Sequence, residues 1–303
     1  MKIYKDEYWA MTVHKLKAYI EDNNYSGIDP YDALMGWCNF TFFGHWLPAF
    51  MVQLHKRNPL DLRRLMGIKN AINPKAVGLL LRAYCLLYRK TNNQALLEKI
   101  HFLFSWLANN KSPGYDNACW GYPFDWANPV KYLHASTPTV VATSFVCKGI
   151  FDYYLLEKNP LALELLESSC NFILQNLPRI ETPDGICFSY SPLKKDCCYN
   201  ASILGAETLA RLYAITKDDD IKKIIIKAVN FVLSSQHQDG HWNYSLDLTT
   251  GIERSQIDFH QGFILDSLHS CKELADERNE KITFALRRGS EFYYKFQFLP
   301  DGR

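Results

Sequence analysis

Five aspartates, Asp29, Asp32, Asp125, Asp196 and Asp258, stand in polar or aromatic stretches between apolar helical patterns. Carboxyl groups in such loops suit sugar chemistry. Glycoside cleavage uses one protonated and one ionised carboxyl across the ring, while lyases and epimerases use a base beside a cation. Aspartate is also a favoured helix cap, and Asp258, which opens a helical pattern, fits either role. Asp125, held between Phe124 and Trp126, is harder to account for as a cap and is a candidate to face a pocket. His260 follows Asp258 by two residues and adjoins Gln261, so an imidazole at a helix start is available as general base or sugar ligand. A core histidine bonded across the interior is the alternative. His134, just ahead of Ser136-Thr137-Pro138-Thr139, is a further candidate. The catalytic set is therefore Asp125, Asp196, Asp258 and His260.

Aromatic residues crowd the same stretches: Trp37, Trp120, Tyr122, Trp126, Tyr190, Tyr199, Trp242 and Tyr244. Their faces stack on sugars or isoprenoid chains, and they also pack loops against one another. The substrate-binding candidates are Trp120, Tyr122, Trp126, Tyr190, Tyr199 and Trp242, joined by the polar Asn200 and Gln261. No metal and no cofactor is expected. The chain has nine cysteines but no CxxC pair, and the adjacent Cys197-Cys198 read as buried thiols. A phosphate-cradling glycine loop, a serine nucleophile elbow and an HExxH pair are all missing from the sequence.

Helices must position these residues. Helical periodicity dominates, and two helix types alternate. Segments 74–88, 138–154, 200–215 and 258–274 carry little charge and should be buried on most sides. Segments 94–107, 161–177, 220–234 and 281–298 carry more charge on one face and should have a wet side. Such alternation describes two concentric layers. Short polar links lead from inner to outer helices, whereas long aromatic links, 111–137, 181–199 and 236–257, lead back and gather beside the inner-helix N-termini. Loops on a rigid scaffold commonly carry function, and helix N-termini favour anions. Ahead of these, 8–22 reads as an outer helix, 25–32 as a long loop, 37–56 as an inner helix and 58–67 as a short outer one. No linker divides residues 1–303, so a single domain is predicted.

An acidic-glycine turn recurs as Pro183-Asp184-Gly185, Asp239-Gly240 and Pro300-Asp301-Gly302, at intervals of 55 and 62 residues that fit two helices plus loops. Its fullest copy, Gln236-His237-Gln238-Asp239-Gly240-His241-Trp242, resembles the Q-x-x-D-G-x-W repeat of the squalene-cyclase and prenyltransferase toroids. There the Gln and Trp brace neighbouring helices. The copy at Asp184 lacks both, and Phe298 stands where the last copy would need Gln. Those prenyltransferases hold zinc with Asp, Cys and His in corresponding loops, which would point here to Asp196, Cys197 or Cys198, and His260.

Four segments, Gly121-Tyr122-Pro123-Phe124-Asp125-Trp126, Ser189-Tyr190-Ser191-Pro192, Asp196-Cys197-Cys198-Tyr199-Asn200 and Ile257-Asp258-Phe259-His260-Gln261-Gly262, carry a resemblance that covers nearly the whole chain. It is to an uncharacterised prokaryotic family, itself similar to six-hairpin glycosidases and often encoded near surface-polysaccharide assembly genes. Some of its members bear a delta-aminolevulinic acid dehydratase label, which conflicts with the pattern here, because such dehydratases are β/α barrels. The resemblance implies an all-α, (α/α)6-type toroid of helical hairpins. With about five helices of each type, and an end inside the turn that precedes each inner helix, the chain is expected to lack the last inner helix and to be truncated.

The implied function is that of a carbohydrate-active protein of polysaccharide metabolism. It would bind a glycan or lipid-linked saccharide and act by acid/base chemistry of glycosidase, lyase or epimerase type. A prenyl or polyprenyl-phosphate binder, zinc-dependent or not, and a non-catalytic assembly scaffold are the alternatives, since one scaffold hosts many chemistries. Net charge is +2, from 34 basic and 32 acidic residues, which gives no nucleic-acid footprint. No apolar run reaches the ~18 residues of a membrane span, and no signal core opens the chain, so a cytoplasmic protein with reduced thiols is expected.

Overall fold

The computed structural model describes residues 2–44, 46–128, 131–183, 185–256, 258–276 and 278–299, with 2–7 and Phe43 through their backbone only. His45, Asp184, Ile257 and 300–303, which carry parts of the expectations above, lie outside the described residues. The chain divides into two compact units, residues 1–77 with 122–137, and 78–121 with 138–303.

In the first unit, α1 (Lys2–Asp22) and α2 (Trp46–Arg57) accompany the start of α3 (Pro74–Thr91) and a two-stranded ribbon, β1 (Trp126–Ala127) with β2 (Tyr132–Leu133). A small core of Ala33, Leu34, Ala49, Val52 and Ala127 holds it. Beside that core the buried Asp32 carboxylate lies 2.9 Å from Arg63 Nε and 3.2 Å from His55 Nε2, so Asp32 is a structural ion-pair centre. Two expectations are corrected here. The segment 37–56 is not one helix. Phe40 and Gly44 take left-handed φ of 59° and 72° around a single 3-10 turn, which delays the helix to Trp46. The stretch 58–67 forms turns instead of a helix. The side chains of Asn58 and Asp61 accept from the amides of Leu60 and Arg63, local bonds that compete with helical ones.

The second unit continues α3 and adds α4 (Ala95–Asn109), α5 (Val140–Glu157), α6 (Pro160–Asn171), α7 (Tyr199–Thr216), α8 (Asp219–Ser234), α9 (His260–Ala275) and α10 (Glu280–Gln297). The predicted alternation is present in part, because α3 and α9, expected to be buried on most sides, bury one stripe as the outer helices do. Every residue of α5 from Val140 to Tyr153, and of α7 from Tyr199 to Leu212, is buried, whereas α4, α6, α8 and α10 each bury one stripe. The short links share one device. Lys158 and Lys217 end α5 and α7 in left-handed conformations, and the next residues, Asn159 and Asp218, cap the following helix through their side-chain oxygens. The long loops hold strands that the sequence pattern did not announce: β3 (Arg179–Thr182) pairs with β4 (Gly185–Phe188), and β5 (Cys197–Cys198) pairs with β6 (Ser245–Leu246), which pairs with β7 (Glu253–Arg254). Among the described residues no helix is long and apolar enough to cross a membrane.

The recurring turn has a packing role. Gly185 and Gly240 take φ of 149° and 100°, and a Cβ on either would sit 2.0 Å from the Lys227 carbonyl oxygen of α8 or 2.3 Å from the Arg288 carbonyl oxygen of α10. Only glycine satisfies both conditions. Around the second turn, Gln236 donates to the carbonyls of Gly240 and Ala285, and Trp242 Nε1 donates to Val232.

Charges converge inside the inner layer. The Glu207 carboxylate of α7 accepts from Arg211 at 2.6 Å and Ser267 at 2.8 Å and lies 3.0 Å from Lys148 Nζ of α5, which reaches Asp266 of α9 at 2.8 Å. Lys148, Glu207 and Arg211 are 2%, 1% and 6% exposed, so each charge depends on its partners. Glu207→Ala strands the buried Arg211 and leaves Lys148 with Asp266 alone, and is expected to cost about 3–5 kcal/mol in urea unfolding.

Candidate functional site

Asp125 belongs to the first unit, just ahead of the β1–β2 ribbon. Its carboxylate accepts from the Tyr132 hydroxyl and from the Ala135 amide at 2.7 Å, with His134 Nδ1 3.7 Å away. Burial, then the bond to Asp125 and its charge, push the Tyr132 hydroxyl well above the ordinary phenol value. A cavity of about 400 Å³ opens beside Asp125, lined among others by Trp37, Cys38, Phe42 and Phe124. Trp37 and Phe42 are both 79% exposed, so flat apolar faces stand beside a hydrogen-bonded carboxylate. Tyr122 stacks on Phe124 at 5.6 Å, and the half-buried Trp126 has the Lys131 ammonium 6.0 Å from its ring.

In the second unit Asp258 and His260 meet at the start of α9. Asp258 Oδ1 accepts from the His260 amide at 2.9 Å and lies 2.5 Å from His260 Nδ1, while Gln256 Nε2 donates to Oδ2 at 2.5 Å. The aspartate therefore both starts the helix and holds the ring, joining the two roles the sequence left open. Burial alone raises the Asp258 carboxyl, but the bonds from Gln256 and from the amide and ring of His260 outweigh it and hold the group below its ordinary value. The imidazole is walled by aromatic rings: Phe259 stacks at 4.6 Å, Tyr244 meets it edge-on at 4.8 Å and Phe263 at 6.1 Å. Both partners stay within reach of solvent, with side chains 26% and 19% exposed.

The remaining candidates have structural surroundings. Asp196 accepts from the Tyr190 amide at 2.7 Å, and its own amide and carbonyl bond the Ser189 hydroxyl, so it closes the 189–196 loop. Tyr190 itself is half-buried, and its carbonyl receives the first amide of α5. The expectation of pocket-facing side chains is corrected for five residues. Trp120 is fully buried and bonds Leu107 through Nε1, as Trp242 bonds Val232. Gln261 spans the Trp242 amide and the carbonyls of Gly240 and Gly289. Tyr199 is buried with its hydroxyl on Glu253, and the buried Asn200 takes the Cys198 thiol. Cys197 faces Cys187 at 3.6 Å, and among the described residues no three His, Cys, Asp or Glu side chains converge as a metal would require, so the zinc set Asp196, Cys197 or Cys198, and His260 is not assembled.

Sequence reasoning missed Glu253. Its carboxylate binds Tyr199, Asn243 at 2.7 Å and His237 Nε2 at 2.7 Å, and His237 stacks on His241 at 4.3 Å. Although burial raises the Glu253 carboxyl, these bonds hold it below its ordinary value. It also missed Arg254 and Gln256. For Gln256 a signal was available: it stands two residues ahead of Asp258, close enough for a local side-chain hydrogen bond.

No protein-family model and no curated protein matches the chain. Solved structures match through their fold. A cellobiose 2-epimerase from Bacillus thermoamylovorans aligns with TM-score 0.59 and 11% identity over 75% of this chain and 61% of its own. A family 76 glycoside hydrolase, a mannosidase, from Bacteroides thetaiotaomicron aligns at 0.62 and 12% over 80% and 65%. A sugar epimerase from a ruminal bacterium aligns at 0.59 and 14% over 90% and 75%. The chain thus spans less than two thirds of the length of the first two. At these identities the likeness establishes the fold class alone, an all-α toroid of helical hairpins of (α/α)6 type.

The depressed Asp258 carboxyl has a sign that can be checked. A carboxyl whose pKa is lower folded than unfolded adds stability above its unfolded pKa and loses it as pH falls through the folded one. Asp258→Asn keeps an acceptor for the His260 amide but removes the charge. It is expected to lower urea stability at pH 7 and to match the parent at a pH well below ~4, the ordinary aspartate value.

Proposed function

We propose that this chain is a carbohydrate-active protein of polysaccharide metabolism that binds a saccharide at the inner-helix N-termini and moves a proton on it, with His260 as the base. The observation that carries this is the Asp258–His260 pair within a wall of aromatic rings. An ionised carboxylate on Nδ1 fixes the ring and its tautomer, so the basicity of the neutral imidazole resides on Nε2, directed away from Asp258. Tyr244, Phe259 and Phe263 supply the apolar faces on which a pyranose ring stacks.

Proton transfer at carbon, as in an epimerase or a lyase, suits one oriented imidazole. Glycoside hydrolysis asks for two carboxyls, and in the second unit Asp196 and Glu253 are engaged by loop amides and side chains. Several solved structures of the same fold bear the names of sugar epimerases, a polysaccharide lyase and a mannose isomerase, which supports the choice of substrate class. The first unit has a cavity of its own, where Asp125 with Trp37 and Phe42 offers a hydrogen-bonded carboxylate beside flat apolar faces. Nine free thiols fit a cytoplasmic site of action.

Incubation with cellobiose, mannose and D-glucuronate in deuterated water tests the proposal. Deuterium is expected to enter a ring carbon of at least one sugar, read by proton NMR, and to slow by ~10²–10⁴-fold in His260→Gln. Uptake at the parental rate in that variant sinks the assignment.

A further inference from the structure

Most arginines of the second unit are engaged. Arg82 and Arg89 face Asp152, Arg179 faces Glu181, Arg211 faces Glu207, Arg287 faces Glu291, and Arg288 donates to the carbonyls of His237 and Gln238, which leaves Arg254 and the exposed Arg278. Arg254 is exposed and, among the described residues, has no carboxylate within ion-pair distance. Its guanidinium lies 5.4 Å from the centre of the Tyr244 ring. Two facts tie it to the Asp258–His260 pair. The same Tyr244 ring meets His260 at 4.8 Å, so guanidinium and imidazole lie no farther apart than those two spans joined. Arg254 also lies two residues ahead of Gln256, whose side chain donates to Asp258, which in turn holds His260.

The backbone fixes which way it faces. Arg254 pairs with Ser245 in the β6–β7 ribbon, and the Tyr244 amide donates to the Arg254 carbonyl at 2.8 Å. Neighbouring strand residues point to opposite sides. Glu253 is accordingly spent on Tyr199, His237 and Asn243, which leaves Arg254 on the Tyr244 side. Asp196, whose charge bears on the Tyr244 hydroxyl, is bonded to the Tyr190 amide.

A guanidinium held over an aromatic face keeps its planar donors for a bidentate acceptor, and carboxylate and phosphate both fit that fork. We propose that Arg254 sets the specificity of this site and that its substrate is an acidic saccharide, a sugar whose carboxylate or phosphate is gripped by Arg254 while the ring lies against His260. The proposal rests on the assignment of the site to saccharides. It adds the charge of the substrate, which that assignment leaves open. Where the group is a carboxylate on the reacting carbon it also helps a base, because a cation on it stabilises the negative charge that develops as the proton leaves.

The test compares binding of D-glucuronate, D-glucose 6-phosphate and D-glucose to the full chain by NMR titration. In the parent, at least one acidic probe is expected to bind about tenfold or more tightly than glucose, the scale of a charge-assisted hydrogen bond, and to weaken as salt is raised. Whichever acidic probe gains more identifies carboxylate or phosphate as the favoured group. Arg254→Gln is expected to bring the ratio to about one and Arg254→Lys to keep part of it.

A ratio near one in the parent, or one unchanged in Arg254→Gln, overturns the proposal. If that occurs while sugar deuteration still depends on His260, the saccharide assignment stands and only the acidic specificity falls. If none of the three probes binds, both fall. Amide spectra of each variant confirm that the β6–β7 ribbon is retained, and Arg254→Lys carries the comparison should the glutamine variant unfold.

Discussion

One buried carboxylate governs the inner layer. Glu207 sits in an apolar interior with Lys148 from a neighbouring helix on one oxygen and Arg211 from its own helix on the other. Desolvating such charges costs several kcal/mol each, so they are tolerated only where the partners meet in good geometry. Lys148 and Glu207 each lie eight residues beyond the first residue of their helices, about 12 Å along the axis. Pairing them levels the N-termini of α5 and α7, and Ser267 and Asp266 bring α9 into the same register. The loops that open on those N-termini inherit that alignment. The site at Asp258 and His260 therefore depends on a contact well below it, within the helices.

Much of this was visible in the residues. The inner helices α5 and α7 are low in charge because they have no wet face, and the outer ones betray themselves by a charged stripe. The short links combine a left-handed residue with an Asn or Asp cap, a local device that local sequence reports. The breaks in 37–56 and 58–67 escaped notice because apolar content persists through them. There backbone conformation at Phe40 and Gly44, and the turns capped by Asn58 and Asp61, decide against a helix.

The site was legible in part, and for a physical reason. Asp258 and His260 are two residues apart, so their pairing is a local event. Glu253, His237 and Tyr199 are brought together by β5, β6 and β7, whose pairing spans residues 197–254, and no short window contains that information. The aromatic residues divide differently. Trp120 and Trp242 look like platforms in the sequence, but each spends its indole N–H on a carbonyl of an earlier outer helix, a bond that a buried indole needs. Composition alone does not separate a tryptophan that braces a loop from one that meets a ligand. Exposure does, as Trp37 and Phe42 illustrate.

The two turn glycines bear on how the chain is assembled during synthesis. Gly185 rests on the carbonyl of Lys227, and Gly240 on that of Arg288, each belonging to an outer helix made some forty to fifty residues later. A turn cannot lock until the helix that covers it has left the ribosome, and by then the chain is already entering the following hairpin. Assembly of this unit is thus overlapping, each hairpin being finished by the one after it. A nascent chain always carries one unfinished turn at its growing edge, and that edge is where a chaperone would find exposed apolar surface.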